Sequence, residues 1–191
     1  QHCRHRPRIR GHTTRHALMG IAPTLKTDRL ILRAHTAQDF DDCAALWADP
    51  DVIKHITANP STRSESWSRL LRYAGHWALL GYGYWVVTDH DNTFLGEVGF
   101  ADFQRDLIPK IHTPEAGWVL ATHAHGRGIA TEAMTTAHRW LDPQHPETCA
   151  LFDPEHAVSY KVAAKLGYTK SHTADFLGRP TWVMTRTTVS I

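Results

Sequence analysis

Cysteine is scarce in this chain. Among 191 residues only Cys3, Cys43 and Cys149 occur, none in a CxxC pair, which excludes a disulfide scaffold and a cysteine-rich zinc module. Long apolar runs are missing too, and none approaches the ~18 residues of a membrane-spanning helix. Without a secretory apolar core, the default location is cytoplasmic, and no membrane partner is expected. His123-x-His125 and the scattered other histidines lack HExxH or any Cys partner, and His145 is set in a loop between Gln144 and Pro146. No metal site is therefore expected.

Acidic residues are lacking from positions 1–18, which hold Arg4, Arg6, Arg8, Arg10, Arg15 and four histidines. The net charge of +2 thus hides two unlike parts: without those arginines, 16 basic residues stand against 19 acidic ones. Residues 1–18 show no apolar period and cannot offset their ordering entropy, so they are expected to be a disordered basic leader. A nucleic-acid or anionic-membrane arm is one reading of it. A transit peptide fits less well, since serine and an amphipathic stripe are both missing. The plainest reading makes Met19 the natural start, with no nucleic-acid partner.

What is present after that is ordinary globular chemistry, 42% hydrophobic and 21% charged. Residues 19–191 are expected to form one mixed α/β domain. Leu30-Ile31-Leu32 is a short apolar strand. Thr36 with Asp39, and Thr62 with Glu65, are capping-box starts of helices with apolar faces, the second ended by Gly81 and Gly83. Tyr84–Thr88, Phe94–Phe103 and Ala116–Ala121 are strands, and a helix runs to Leu141. Thr148–Phe152 is a strand, Asp153-Pro154 an N-cap and first helical position, Gly167 a helix end, and Tyr168–Thr173 and Thr181–Thr187 a closing strand pair. Trp67, Trp77 and Trp85 are candidates for an acceptor pocket or for the core.

The most informative segment is GWVLATHAHGRGIATEAM, residues 117–134. A strand leads into His125-Gly126-Arg127-Gly128-Ile129-Ala130 and directly into a helix. Glycines let successive amides point into one concavity, the helix N-terminus adds partial positive charge, and Arg127 adds a full one. A pyrophosphate suits that arrangement. A Walker loop is excluded for want of Gly-Lys-Ser/Thr, and a dinucleotide fingerprint would need a small residue where Thr131 stands. A plain strand–helix turn remains open.

These residues resemble the GNAT family of N-acetyltransferases. His125, Gly128 and Ala130 stand in the family's acyl-CoA loop pattern, with His125 in place of Arg or Gln. DPEHAVSYKVAAKLGY, residues 153–168, is similar to the second motif, with His156 in place of its Asn and with Ser159 and Lys165-Leu166-Gly167-Tyr168 matching. TDRLILR (27–33) and LGEVGF (95–100) resemble the RimJ/RimL-like branch, the ribosomal-protein-alanine N-acetyltransferases. The resemblance runs from about Leu25 to Thr187.

It implies an α/β GNAT fold: a central mixed, mostly antiparallel sheet, splayed at the acetyl-CoA strand and flanked by helices. It implies acetyl-CoA as co-substrate, bound by Val119, Leu120, His125, Gly126, Arg127, Gly128, Ile129, Ala130, Thr131, His156 and Ser159. The implied reaction is direct attack on the thioester by a primary amine, a protein N-terminal α-amine or a small-molecule amine. A tyrosine that many members use as the acid is replaced by Ala163, and Ser159, one turn earlier on the same helical face, takes the role in this branch. Glu97 and Glu115 are candidates for the base. The alternative is a non-catalytic acyl-CoA-binding module, and family habit suggests a homodimer.

Overall fold

The computed structural model describes residues 20–57 and 59–188; the basic leader lies outside them. Eight strands form one sheet in the order β1-β2-β3-β4-β5-β6-β8-β7: β1 (Leu25–Lys26), β2 (Ile31–Arg33), β3 (Tyr84–Thr88), β4 (Phe94–Ala101), β5 (Glu115–Leu120), β6 (Glu147–Phe152), β7 (Thr169–Phe176) and β8 (Arg179–Thr187). Five helices flank it: α1 (Phe40–Ala48), α2 (Pro50–Ile53), α3 (Arg63–Leu80), α4 (Ile129–Leu141) and α5 (Ala157–Lys165). All strand pairs are antiparallel except β5 with β6. That parallel pair meets at one position, Glu115 opposite Cys149, whereas β4 and β5 pair over six. The two neighbours therefore separate beyond Glu115, and the sheet is split in its middle.

Local chemistry explains most boundaries. Thr62 and Glu65 form the expected capping box, and Gly81 closes α3 in the left-handed region at φ 75°. The helix expected from Asp153-Pro154 begins later, at Ala157. The Asp153 carboxylate accepts the Glu155 amide at 2.9 Å, an Asx turn that competes with helix, and helical bonding starts where Tyr160 donates to the His156 carbonyl. The closing hairpin is longer than expected because its turn is Leu177-Gly178, at φ 54° and 76°. Leucine at a left-handed position hides that turn from a residue-type reading.

One face of the sheet buries Val98, Phe100, Ala116 and Leu120 beneath Ala130, Ala133, Met134, Ala137 and Leu141 of α4. Trp77 and Trp85 belong to this core, each edge-on to Trp140, so neither lines an open pocket. The other face carries Trp47, Val52 and Ile53 against Val119, and Tyr73 against Tyr84.

Within α4, His138 is buried with Nε2 3.2 Å from the Tyr168 hydroxyl. Burial, then the nearby Arg186 charge, push its pKa down from 6.5 to about 4, opposed only in part by Asp142. Between those values the unfolded chain binds more protons than the folded one, so stability falls as pH drops from 6.5 toward 4, by at most roughly 3 kcal/mol from this group. Urea midpoints measured across that range are expected to decline, with a shallower decline in His138→Gln. An equal slope in the variant would assign the effect elsewhere.

Candidate active site

The glycine loop is built as an anion cradle. Gly128 caps α4 in the left-handed region at φ 72°, and Gly126 adopts φ 71° with nothing within 4 Å of where a side chain would begin. Among the described residues, the amides of Gly126, Arg127, Gly128, Ile129, Ala130 and Thr131 find no protein acceptor. Six such donors at the positive end of a helix have the chemistry to receive a polyanion. Arg29 holds the loop in shape, donating from Nη1 to the Arg127 carbonyl at 3.1 Å and from Nε to Glu132 at 2.7 Å. The Arg127 side chain is exposed beside the cradle. His125 points away from a phosphate role: its Nε2 donates to the Leu120 carbonyl at 2.8 Å and ties the loop to the end of β5.

The split places β5 beside this loop. Ala121 donates its amide to the Leu95 carbonyl of the preceding strand at 2.9 Å. The two-residue alternation of an antiparallel ladder then turns the Val119 amide toward β4 as well. That corrects the expectation that Val119 offers its N–H to a cofactor; the amides of Trp118 and Leu120 are those directed into the gap. The Val119 side chain instead packs with Trp47. Gly117 is required here by close approach, because a Cβ at that position would lie 1.9 Å from the Tyr84 hydroxyl oxygen.

Across the gap stands the start of α5. Ser159 is buried, with Oγ 3.3 Å from Nε2 of His156. The His156 ring stacks on His55, from the turn after α2, at 4.8 Å. Burial first, then the neighbouring His55, lower the His156 pKa to about 4, with Asp153 opposing. His156 is therefore neutral at physiological pH and can either donate to or accept from Ser159. Nothing in the residue types announced the contribution of His55, which comes from a connecting turn.

The two candidate carboxylates are both occupied. Glu97, 1% exposed, accepts from Trp47 Nε1 and His35 Nε2 at 2.7 Å each and from Cys43 Sγ at 3.2 Å. Burial works to raise its pKa, but those hydrogen bonds and the His35 interaction outweigh it and hold the carboxyl below its ordinary value. Glu115 is gripped by Arg105 through two bonds, 2.7 and 2.8 Å. His35, Cys43 and Glu97 lie close enough to be weighed as metal ligands. Their donor set argues otherwise: burial pushes the Cys43 thiol pKa far up, so it stays protonated, and thiol, imidazole and indole all aim hydrogens at one carboxylate.

Cradle, split strand and facing serine have the chemistry of an acyl-transfer site, and comparison with known proteins agrees. The model of the acetyltransferase (GNAT) domain matches residues 29–169, and the chain belongs to this family of acetyltransferases. It is 24% identical over 152 residues to the uncharacterized N-acetyltransferase p20 of Bacillus licheniformis, covering 77% of this chain and 83% of that protein. A putative GnaT-family acetyltransferase from Bordetella pertussis superposes with a TM-score of 0.75 at 28% identity, over 86% of this chain and 99% of that one. RimL, a ribosomal L7/L12 alpha-N-protein acetyltransferase solved in complex with coenzyme A, shares the fold at a TM-score of 0.71 and 13% identity, over 87% and 98% of the two chains.

Proposed function

We propose that this chain is a cytoplasmic, acetyl-CoA-dependent N-acetyltransferase of the RimJ/RimL-like branch, acting on a primary amine. The observation that carries the reading is the run of six unpartnered amides from Gly126 to Thr131, set beside a strand whose Trp118 and Leu120 amides also face the gap. A diphosphate would take the first set and a pantetheine amide chain the second. When bound, acetyl-CoA supplies an activated acyl group as its thioester.

The protein's part is mostly positioning. Holding amine and thioester together replaces a bimolecular encounter, and gap-facing amides polarise the carbonyl as charge builds on its oxygen. As the C–S bond breaks, the Ser159 hydroxyl, oriented by His156, would give its proton to the departing sulfur and take one back, through water, from the ammonium nitrogen of the tetrahedral adduct, leaving amide, thiol and neutral serine. Glu97 and Glu115 are each saturated by donors and act here as positioning residues: Glu97 fixes Trp47 against Val119, and Glu115 fixes Arg105. With both candidate carboxylates held by donors, the acceptor is best an amine already largely neutral near pH 7.5, such as an α-amine with a pKa of about 7.7–8.0.

Ser159→Ala is expected to lower kcat for thiol release about 100-fold while leaving the acetyl-CoA dissociation constant within about threefold, the signature of a group used in the transition state. Equal turnover would remove Ser159 as the acid. A buried Ala163, standing where many relatives carry their tyrosine, supports a second reading, an acyl-CoA-binding module without turnover. Tight acetyl-CoA binding with no thiol release across a broad amine panel would favour it.

A further inference from the structure

On the face that carries Glu97 and Val119, a concavity of about 620 Å³ opens between the first half of α3 and the segment around Asn59. Its walls include Ser61, Ser64, Ser68, Glu65, Arg69 and Arg72. We propose that Arg69 and Arg72 form an anion-binding subsite for the acceptor, so that the preferred substrate is a primary amine bearing a carboxylate. This rests on the transferase reading above and narrows it to a substrate class.

Most arginines of the fold already have a partner. Arg29, Arg33, Arg63, Arg105, Arg179 and Arg186 each lie within ion-pair distance of a carboxylate. Arg69 and Arg72 have none among the described residues. Arg69 donates only to Ser61 Oγ, at 3.3 Å, and Arg72 has no side-chain hydrogen bond there. The acid in the same concavity does not neutralise them, because the Glu65 carboxylate is turned back onto its own helix cap, accepting from the Thr62 amide and hydroxyl at 2.7 and 2.9 Å. Burial pulls the Arg69 pKa down, whereas Arg105, also buried, is raised by Glu115. A half-buried guanidinium that lacks counter-charge has unspent capacity for a bidentate carboxylate.

Position ties this capacity to the reaction. The Arg69 guanidinium sits 3.7 Å from the Trp47 ring centroid, and Trp47 packs with Val119 of β5 and donates to Glu97. An anion on Arg69 is thus one aromatic ring away from the strand that presents the thioester. Arg72 lies over Phe103 at 5.0 Å, extending the cationic edge along the same face. Both arginines are on the far side of the sheet from α4 and its diphosphate cradle, so they remain for the acceptor.

The test uses the full chain, acetyl-CoA and matched acceptors: C-terminally amidated Ala-Glu, Ala-Gln and Ala-Lys peptides, and free amino acids against their amides. Thiol release should give kcat/KM about tenfold to a hundredfold higher for the carboxylate member than for its neutral isostere. The peptide or the amino-acid pair that shows the ratio identifies the source of the carboxylate. Arg69→Gln and Arg72→Gln should each cut that ratio about tenfold, and Arg72→Glu should shift preference toward Ala-Lys, an inversion that loss of packing alone would not produce. Arg139→Gln, on the exposed side of α4, controls for total charge and should leave the ratio intact. Turnover without preference in the parent chain, or preference surviving both arginine variants, overturns the subsite and leaves the transferase standing. Absence of thiol release from every acceptor overturns the transferase reading, and this inference with it.

Discussion

Replacing Gly128 by valine is expected to weaken acetyl-CoA binding at least 100-fold, measured by calorimetric titration of the folded protein. Gly128 caps α4 at φ 72°, a conformation that costs an L-residue about 1–2 kcal/mol and a β-branched one more. Relaxing that strain means rotating the backbone, which swings the amides on either side of position 128 out of their common concavity. The remaining donors then no longer converge on one diphosphate. Folding should survive, because the nearest atom to a Cβ there is Nη2 of Arg29 at 3.9 Å, an ordinary van der Waals contact. A valine variant that melts near the parent temperature and binds acetyl-CoA equally well would dismiss the loop as the diphosphate site.

The second large effect concerns stability. Glu97→Ala leaves Trp47 Nε1, His35 Nε2 and the Cys43 thiol without their shared acceptor in a site where Glu97 is 1% exposed. Removing one partner from a buried polar cluster costs about 3–5 kcal/mol. For a domain of this size the Tm should fall by roughly 10 °C. Glu97→Gln separates structure from chemistry, since it keeps an acceptor for the indole and cannot take a proton. If Glu97 positions Trp47, Gln should retain much of the alanine variant's lost stability and a substantial part of the activity. A Gln variant of unchanged Tm and abolished turnover would return Glu97 to the role of base.

The legible parts of this chain are those in which function or folding depends on local sequence. The capping box at Thr62 and Glu65, the apolar stripe of α4 and the left-handed glycines of 126–128 each act within a few residues, and each was readable. So was the succession of strands and helices along the chain on either side of the loop. What escaped reading depends on contacts distant in sequence. Glu97 looks like a base in LGEVGF, yet its partners come from β2's exit and α1, at His35, Cys43 and Trp47. Glu115 looks free until Arg105 folds back across it. Val119 looks as available as Leu120, and only the register of β4 against β5 tells which amide is spent. The lone arginines of α3 carry no motif; their lack of counter-charge exists only in three dimensions.

The parting of β5 from β6 has a mechanical consequence. Five strands stand on one side of the opening and three on the other, joined through the sheet by the single Glu115–Cys149 step. Elsewhere the two blocks are held by side chains, among them Trp118 against Phe152 at 5.3 Å and the helices α4 and α5. Hydrogen-bonded ladders resist shear strongly, and packed side chains resist it less, so the molecule is most compliant along this seam. A ligand laid in the seam bridges the blocks where the polypeptide does not. On the proposed function, an acyl donor seated there would make rigidity of the whole sheet a property of the complex.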